Sequence, residues 1–155
     1  MLLAGEPSGD LLGAELVRAL RRELGSPPDC FGVGGPELAA AGVDLQVDLT
    51  RHAVVGLVEV LKHYRPFKRI FDELVELAFT RRPDVIVCVD FSGFNRRFAR
   101  KIRWEVGARG IRDWQPHIVQ YVSPQVWASR PGRARAMARD FDLVLAIFQI
   151  GRAHV

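Results

Sequence analysis

Four short stretches hold the residues best suited to chemistry. Residues 4–10, "AGEPSGD", set Glu6, Ser8 and Asp10 among Gly5 and Gly9. Asp90 closes the apolar run Val85-Ile86-Val87-Cys88-Val89. Ser123 and Trp127 follow a second apolar run, Ile118-Val119-Gln120-Tyr121-Val122. In residues 58–69, Val58, Val60, Leu61, Tyr64 and Phe67 are interleaved with Lys62, His63, Arg65, Lys68 and Arg69.

Each stretch admits a chemical and a plainer reading. Glycines in the opening loop permit tight turns, and free amides at a helix start suit a phosphate. Glu6 and Asp10 would repel one, however, and the spacing is neither Gly-x-Gly-x-x-Gly nor that of a P-loop with its lysine. A sugar with hydroxyls to bind is the better match. The plainer reading is that Ser8 or Asp10 caps the following helix. An acid at a strand end, such as Asp90, is expected in a partly desolvated cleft, where a raised pKa makes it a usable general base. Its alternative is a cap on the Ser92-Gly93 turn. Trp127 suits stacking on a sugar, or packing. The 58–69 segment suits a peripheral membrane surface, or a core helix with a charged outer face. His52, His117 and His154 have no partner at metal-ligand spacing, so no metal site is expected.

These loops need elements to position them. Leu12, Leu16, Val17, Leu20 and Leu24 mark one helical face, closed by Gly25 and Pro27-Pro28. A short strand is expected at 30–33, with Pro36 opening a brief helix. Phe67, Ile70, Phe71, Leu74 and Ala78 trace a helix ending before Pro83. Strands are expected at 85–89, 118–122 and 143–148, and helices at 95–106 and near 132–139. Met1-Leu2-Leu3-Ala4 reads as the stump of a first strand, clipped at its amino end. Alternating strands and helices give an α/β fold, a Rossmann-like parallel sheet with flanking helices. Ligands of such sheets bind beyond the carboxyl ends of the strands, where all of these loops but 58–69 lie.

Composition narrows the classes. The chain has 155 residues, 48% hydrophobic and 26% charged, enough for one domain with a core. The net charge of +4 suits an anionic lipid surface or a solvated Arg-rich face, and no nucleic-acid motif accompanies it. Cys30 and Cys88 stand apart in apolar runs, as expected of buried thiols in a reducing compartment. No apolar stretch approaches the roughly 20 residues of a membrane span, and no signal peptide is recognisable, which points to the cytoplasm.

In order and spacing, "AGEPSGDLLGAELVRAL", "GVGGPELAAAG", "VVGLVEVL", "RPDVIVCVDFSGFN", "YVSPQVWA" and "DLVLAIF" resemble the lipid-A-disaccharide synthases. The resemblance implies the N-terminal, acceptor-side half of a GT-B glycosyltransferase. That family joins a UDP-2,3-diacylglucosamine donor to a 2,3-diacylglucosamine 1-phosphate acceptor without a cofactor. The base is the aspartate of its D-x-x-x-F-N motif, which maps onto Asp90, with Phe94 and Asn95 completing the pattern. Glu6, Ser8, Gly9, Asp10, Asn95, Ser123 and Trp127 are then the expected acceptor contacts. Val58, Val60, Leu61, Tyr64, Phe67, Lys68 and Arg69 would face the inner membrane from its cytoplasmic side. A homodimer is left open.

Two departures from that pattern stand out: Ser92-Gly93, where many members carry Pro-Asp, and Ser129, where many carry a second Trp. After "DLVLAIF" the family continues Pro-Phe-Glu into a donor domain, whereas this chain reads Gln-Ile-Gly-Arg-Ala-His-Val. Back-translation of 150–155 resembles a sequencing adapter. Residues 1–148 are therefore expected to be a truncated acceptor-side domain, inactive alone, and 149–155 a read-through artefact. The rival readings are another UDP-sugar enzyme of the same architecture, such as an epimerase, and a non-catalytic module for anionic lipid.

Overall fold

A computed structural model of the chain describes residues 1–48, 64–122 and 137–146. Six strands form one sheet: β1 (Leu2–Ala4), β2 (Phe31–Gly34), β3 (Asp44–Asp48), β4 (Val85–Val89), β5 (His117–Tyr121) and β6 (Leu143–Leu145). Four helices connect them: α1 (Pro7–Leu24), α2 (Pro36–Ala40), α3 (Tyr64–Arg81) and α4 (Ser92–Ala108). Residues 137–140, before β6, are also helical.

The strand order is β3-β2-β1-β4-β5-β6, and every pairing is parallel. This is the doubly wound order. The chain builds outward from β1 to β3, crosses back, and builds outward again from β4. The reversal leaves a crevice outside the carboxyl ends of β1 and β4, where such sheets bind ligands.

Alternation along the central strands divides the core. Leu2, Ala4 and Val89 face α1 and α2, packing with Ala14, Val17 and Leu38. Leu3, Ile86, Cys88 and Ile118 face α3 and α4, packing with Leu74, Ala78, Phe98 and Ile102. Phe71 meets Phe94 and Phe98 edge-on at 5.5 and 6.0 Å, locking α3 against α4.

The helix ends follow local chemistry. Pro7 opens α1, where its fixed φ and missing N–H cost nothing. Gly25 closes it in the left-handed conformation, at φ 68°. The first strand is short, but its central place buries all three residues. Two boundaries differ from expectation. Val122, expected in β5, has φ 74° and has left the strand. Asp44–Asp48 adds a strand whose Asp-Leu-Gln-Val-Asp alternation is too polar to stand out as a buried run. Of the expected 143–148 strand, Leu143–Leu145 lies among the described residues. Residues 149–155 lie outside them.

Candidate functional site

The crevice is built from the exits of β1 and β4. Ala4 pairs with Val89, so Gly5 and Asp90 leave the sheet side by side. The two exits touch: a Cβ added at Gly5 would lie 2.8 Å from the Phe91 ring. Only a residue without a side chain lets that ring close over the β1 exit. The α1 amino terminus comes equally near, since a Cβ on Gly9 would stand 3.4 Å from the Val89 carbonyl and 3.7 Å from Asp90 Cβ.

Asp90 is half-buried at this meeting point. The Ser8 hydroxyl donates to its Oδ2 at 3.4 Å, and no cation pairs with it among the described residues. The carboxylate thus engages the first turn of α1. Glu6 is half-buried at the N-cap of α1 and makes no side-chain cap hydrogen bond. Ser8 is exposed. Ser8, Gly9 and Asp90 therefore share one crevice wall, with Glu6 at the adjoining N-cap.

Asp10 does not belong to that wall. It is 2% exposed. Its Oδ1 accepts from the amides of Gly35 at 2.8 Å and Leu38 at 3.1 Å, and its Oδ2 from Glu37 at 3.0 Å. These are amides that the first turn of a helix leaves unpaired. Asp10 caps α2 from a distance, as a buried anion at a helix start.

Asn95 likewise makes contacts within the fold. It is 1% exposed, and its Nδ2 donates to the Asp90 carbonyl and, at 3.4 Å, to Gln120 Oε1. Gln120, fully buried, donates from Nε2 to the same Asp90 carbonyl at 3.0 Å. Asp90 and Phe91 both have positive φ, 50° and 41°, conformations that cost non-glycine residues free energy unless the surroundings hold them. Sequence reasoning missed Gln120. The one available signal was an amide at an inward position, two residues after Ile118, in an otherwise apolar strand.

A family model described as lipid-A-disaccharide synthetase matches residues 1–151. The chain belongs to the lipid-A-disaccharide synthase family. It is 41% identical over 148 residues to the lipid-A-disaccharide synthase of Koribacter versatilis (strain Ellin345), covering 96% of this chain and 36% of that protein. The lipid-A-disaccharide synthase of Geobacter sulfurreducens gives 40% over 148 residues, again 96% and 36%. That of Myxococcus xanthus gives 42% over 149 residues, 95% and 36%. The chain thus spans about a third of the length of these curated relatives.

The remaining expected site residues of this lipid-A-disaccharide synthase family member are divided by the described range. Ser123, Trp127, Val58, Val60 and Leu61 lie outside it. Tyr64 and Phe67 fall within the first turn of α3. Lys68 and Arg69 are exposed and pair along the helix with Asp72 at 2.5 Å and Glu73 at 3.2 Å. Among the described residues, no helix is long and apolar enough to cross a membrane. Nor do three or more His, Cys, Asp or Glu side chains converge on a metal position there.

Proposed function

We propose that this chain is the acceptor-side Rossmann-like domain of a lipid-A-disaccharide synthase, with Asp90 as the general base. The complete enzyme would transfer 2,3-diacylglucosamine from its UDP-sugar to 2,3-diacylglucosamine 1-phosphate. Asp90 accepts the proton of the acceptor's 6-hydroxyl as that oxygen attacks the donor's anomeric carbon. The bond from that carbon to the UDP oxygen breaks, UDP leaves, and the centre inverts to give a β-1,6 linkage. The observation that carries this reading is a carboxylate at the β1–β4 crevice with a hydroxyl partner and, among the described residues, no cation, leaving lone pairs for a proton. Ser8, on the same wall, and Glu6, at the adjoining N-cap, would bind acceptor hydroxyls. The donor would sit on the part of the enzyme that the relatives have beyond this span. Substrates with acyl chains fit a peripheral site on the cytoplasmic face of the inner membrane, with 58–69 as the docking segment.

The test continues residues 1–148 into the remaining part of the Geobacter sulfurreducens relative. The hybrid is expected to form the disaccharide 1-phosphate and UDP. Asp90→Asn should lower its turnover by about 10²–10⁴-fold with the melting temperature kept, the span typical of a lost general base. An Asp90→Asn hybrid as fast as its parent, or an isomerised UDP-sugar as the product, would overturn the proposal.

A further inference from the structure

Two adjacent strands leave the sheet through strained turns. β4 exits through Asp90 and Phe91, and β5 exits through Val122, all with positive φ. None of the three is glycine, so each conformation has to be held from outside. The side chain placed to hold them is Gln120, whose Nε2 lies 3.0 Å from the Asp90 carbonyl, 3.2 Å from that of Val122 and 3.4 Å from that of Tyr121. Its Oε1 receives Asn95 Nδ2 from the first turns of α4. The Asp90 amide donates to the Tyr121 carbonyl at 3.0 Å, completing the link between the exits.

Gln120 occupies a position where the sheet would ordinarily take Val or Ile, beside Ile118 and beneath α4. A buried amide there is costly unless its hydrogen bonds are made. It makes them to the carbonyls of Asp90, Tyr121 and Val122, where the two strands leave the sheet. The side chain therefore sets turn geometry rather than filling space.

We propose that Gln120, with Asn95, is a positioning residue for Asp90. It fixes the left-handed backbone that turns the carboxylate toward Ser8 and the crevice, and it ties that backbone to the start of the loop following β5. Gln120 touches neither substrate; it acts through Asp90. The inference rests on the reading of Asp90 as the base.

A double-mutant cycle in the hybrid enzyme tests it. Gln120→Leu is expected to lower kcat by about 10–100-fold while the acceptor KM moves less than about threefold. In the Asp90→Asn background the same substitution should change the residual rate little, because the group it positions is gone. Equal fold-losses in both backgrounds would mean a general structural effect and would overturn the positioning role. So would a Gln120→Leu enzyme as fast as its parent. An Asp90→Asn enzyme with full turnover would overturn the base assignment and, with it, this inference; the two failures are thus told apart. If Gln120→Leu does not accumulate folded, Gln120→Met, which keeps the chain length and drops the donors, takes its place in the cycle.

Discussion

Asp10 and Asp90 are chemically the same group, with opposite fates. Asp10 receives three backbone amides and is 2% exposed. Asp90 receives one hydroxyl. Its backbone, not its carboxylate, is what the protein grips. Residue type and spacing left Asp10 open between a cap and a ligand contact, because spacing does not reveal which helix a carboxylate will cap. The capped helix begins 26 residues later, at Pro36. Asp10→Ala would strand the amides of Gly35, Glu37 and Leu38, and should cost about 3 kcal/mol, the scale for buried donors left unpaired. For a chain of this size that is a fall of roughly 6–12 °C in melting temperature. Asp10→Asn keeps one carbonyl oxygen for two of the amides and should lose less. An Asp10→Ala chain melting with the parent would remove the capping role.

At the scale of elements, the sheet depends on how closely β1 and β2 approach. Gly32 pairs with Leu2 at φ 150°, and a Cβ there would lie 1.9 Å from the Leu2 carbonyl oxygen. Backbone cannot yield as a flexible side chain can. Gly32→Ala should therefore destabilise the chain by about 3 kcal/mol or more. Gly93, exposed near the start of α4 with nothing within 4 Å of an added Cβ, predicts the opposite sign. Gly93→Ala should stabilise by up to about 1 kcal/mol through helix propensity. Urea unfolding of the two variants checks both signs at once. Elements with dense apolar patterning were legible in sequence: β4 falls at Val85–Val89, as the β-branched run indicates, and α1 ends at Gly25. β3 was not, since an edge strand needs few apolar residues. The crevice position of Asp90 was legible from strand-end logic alone. The strained turns that shape the crevice were not, because Val122, Asp90 and Phe91 carry no glycine signal for positive φ. They show only in tertiary contacts, those of Gln120 and Asn95 among them.

At the scale of the whole molecule, the two sheet edges differ. β3 carries Asp44 and Asp48 at its ends, with Arg81 pairing Asp44 at 2.6 Å. Charges of this kind discourage another strand from adding to an edge. Among the described residues β6 has no such guard: Leu143, Val144 and Leu145 are 49%, 36% and 37% exposed. Its inner side pairs with β5, from Val119↔Leu143 to Tyr121↔Leu145, and no described strand pairs with its outer side. The net charge of +4 opposes self-association only weakly, and salt screens it. The 155-residue chain should therefore associate as its concentration rises, and more so in sodium sulfate, which strengthens apolar burial. Val144→Lys places a charge on the open strand without removing a core contact. It should hold the chain at monomer mass by light scattering at concentrations where the parent has grown. Its melting temperature should stay within a few degrees, since exposed substitutions shift stability by about 0.5 kcal/mol or less. Identical growth of both proteins would exclude the β6 edge as the route of association and turn the search to the apolar surface of Leu11 and Leu24, exposed by 47% and 61% on α1.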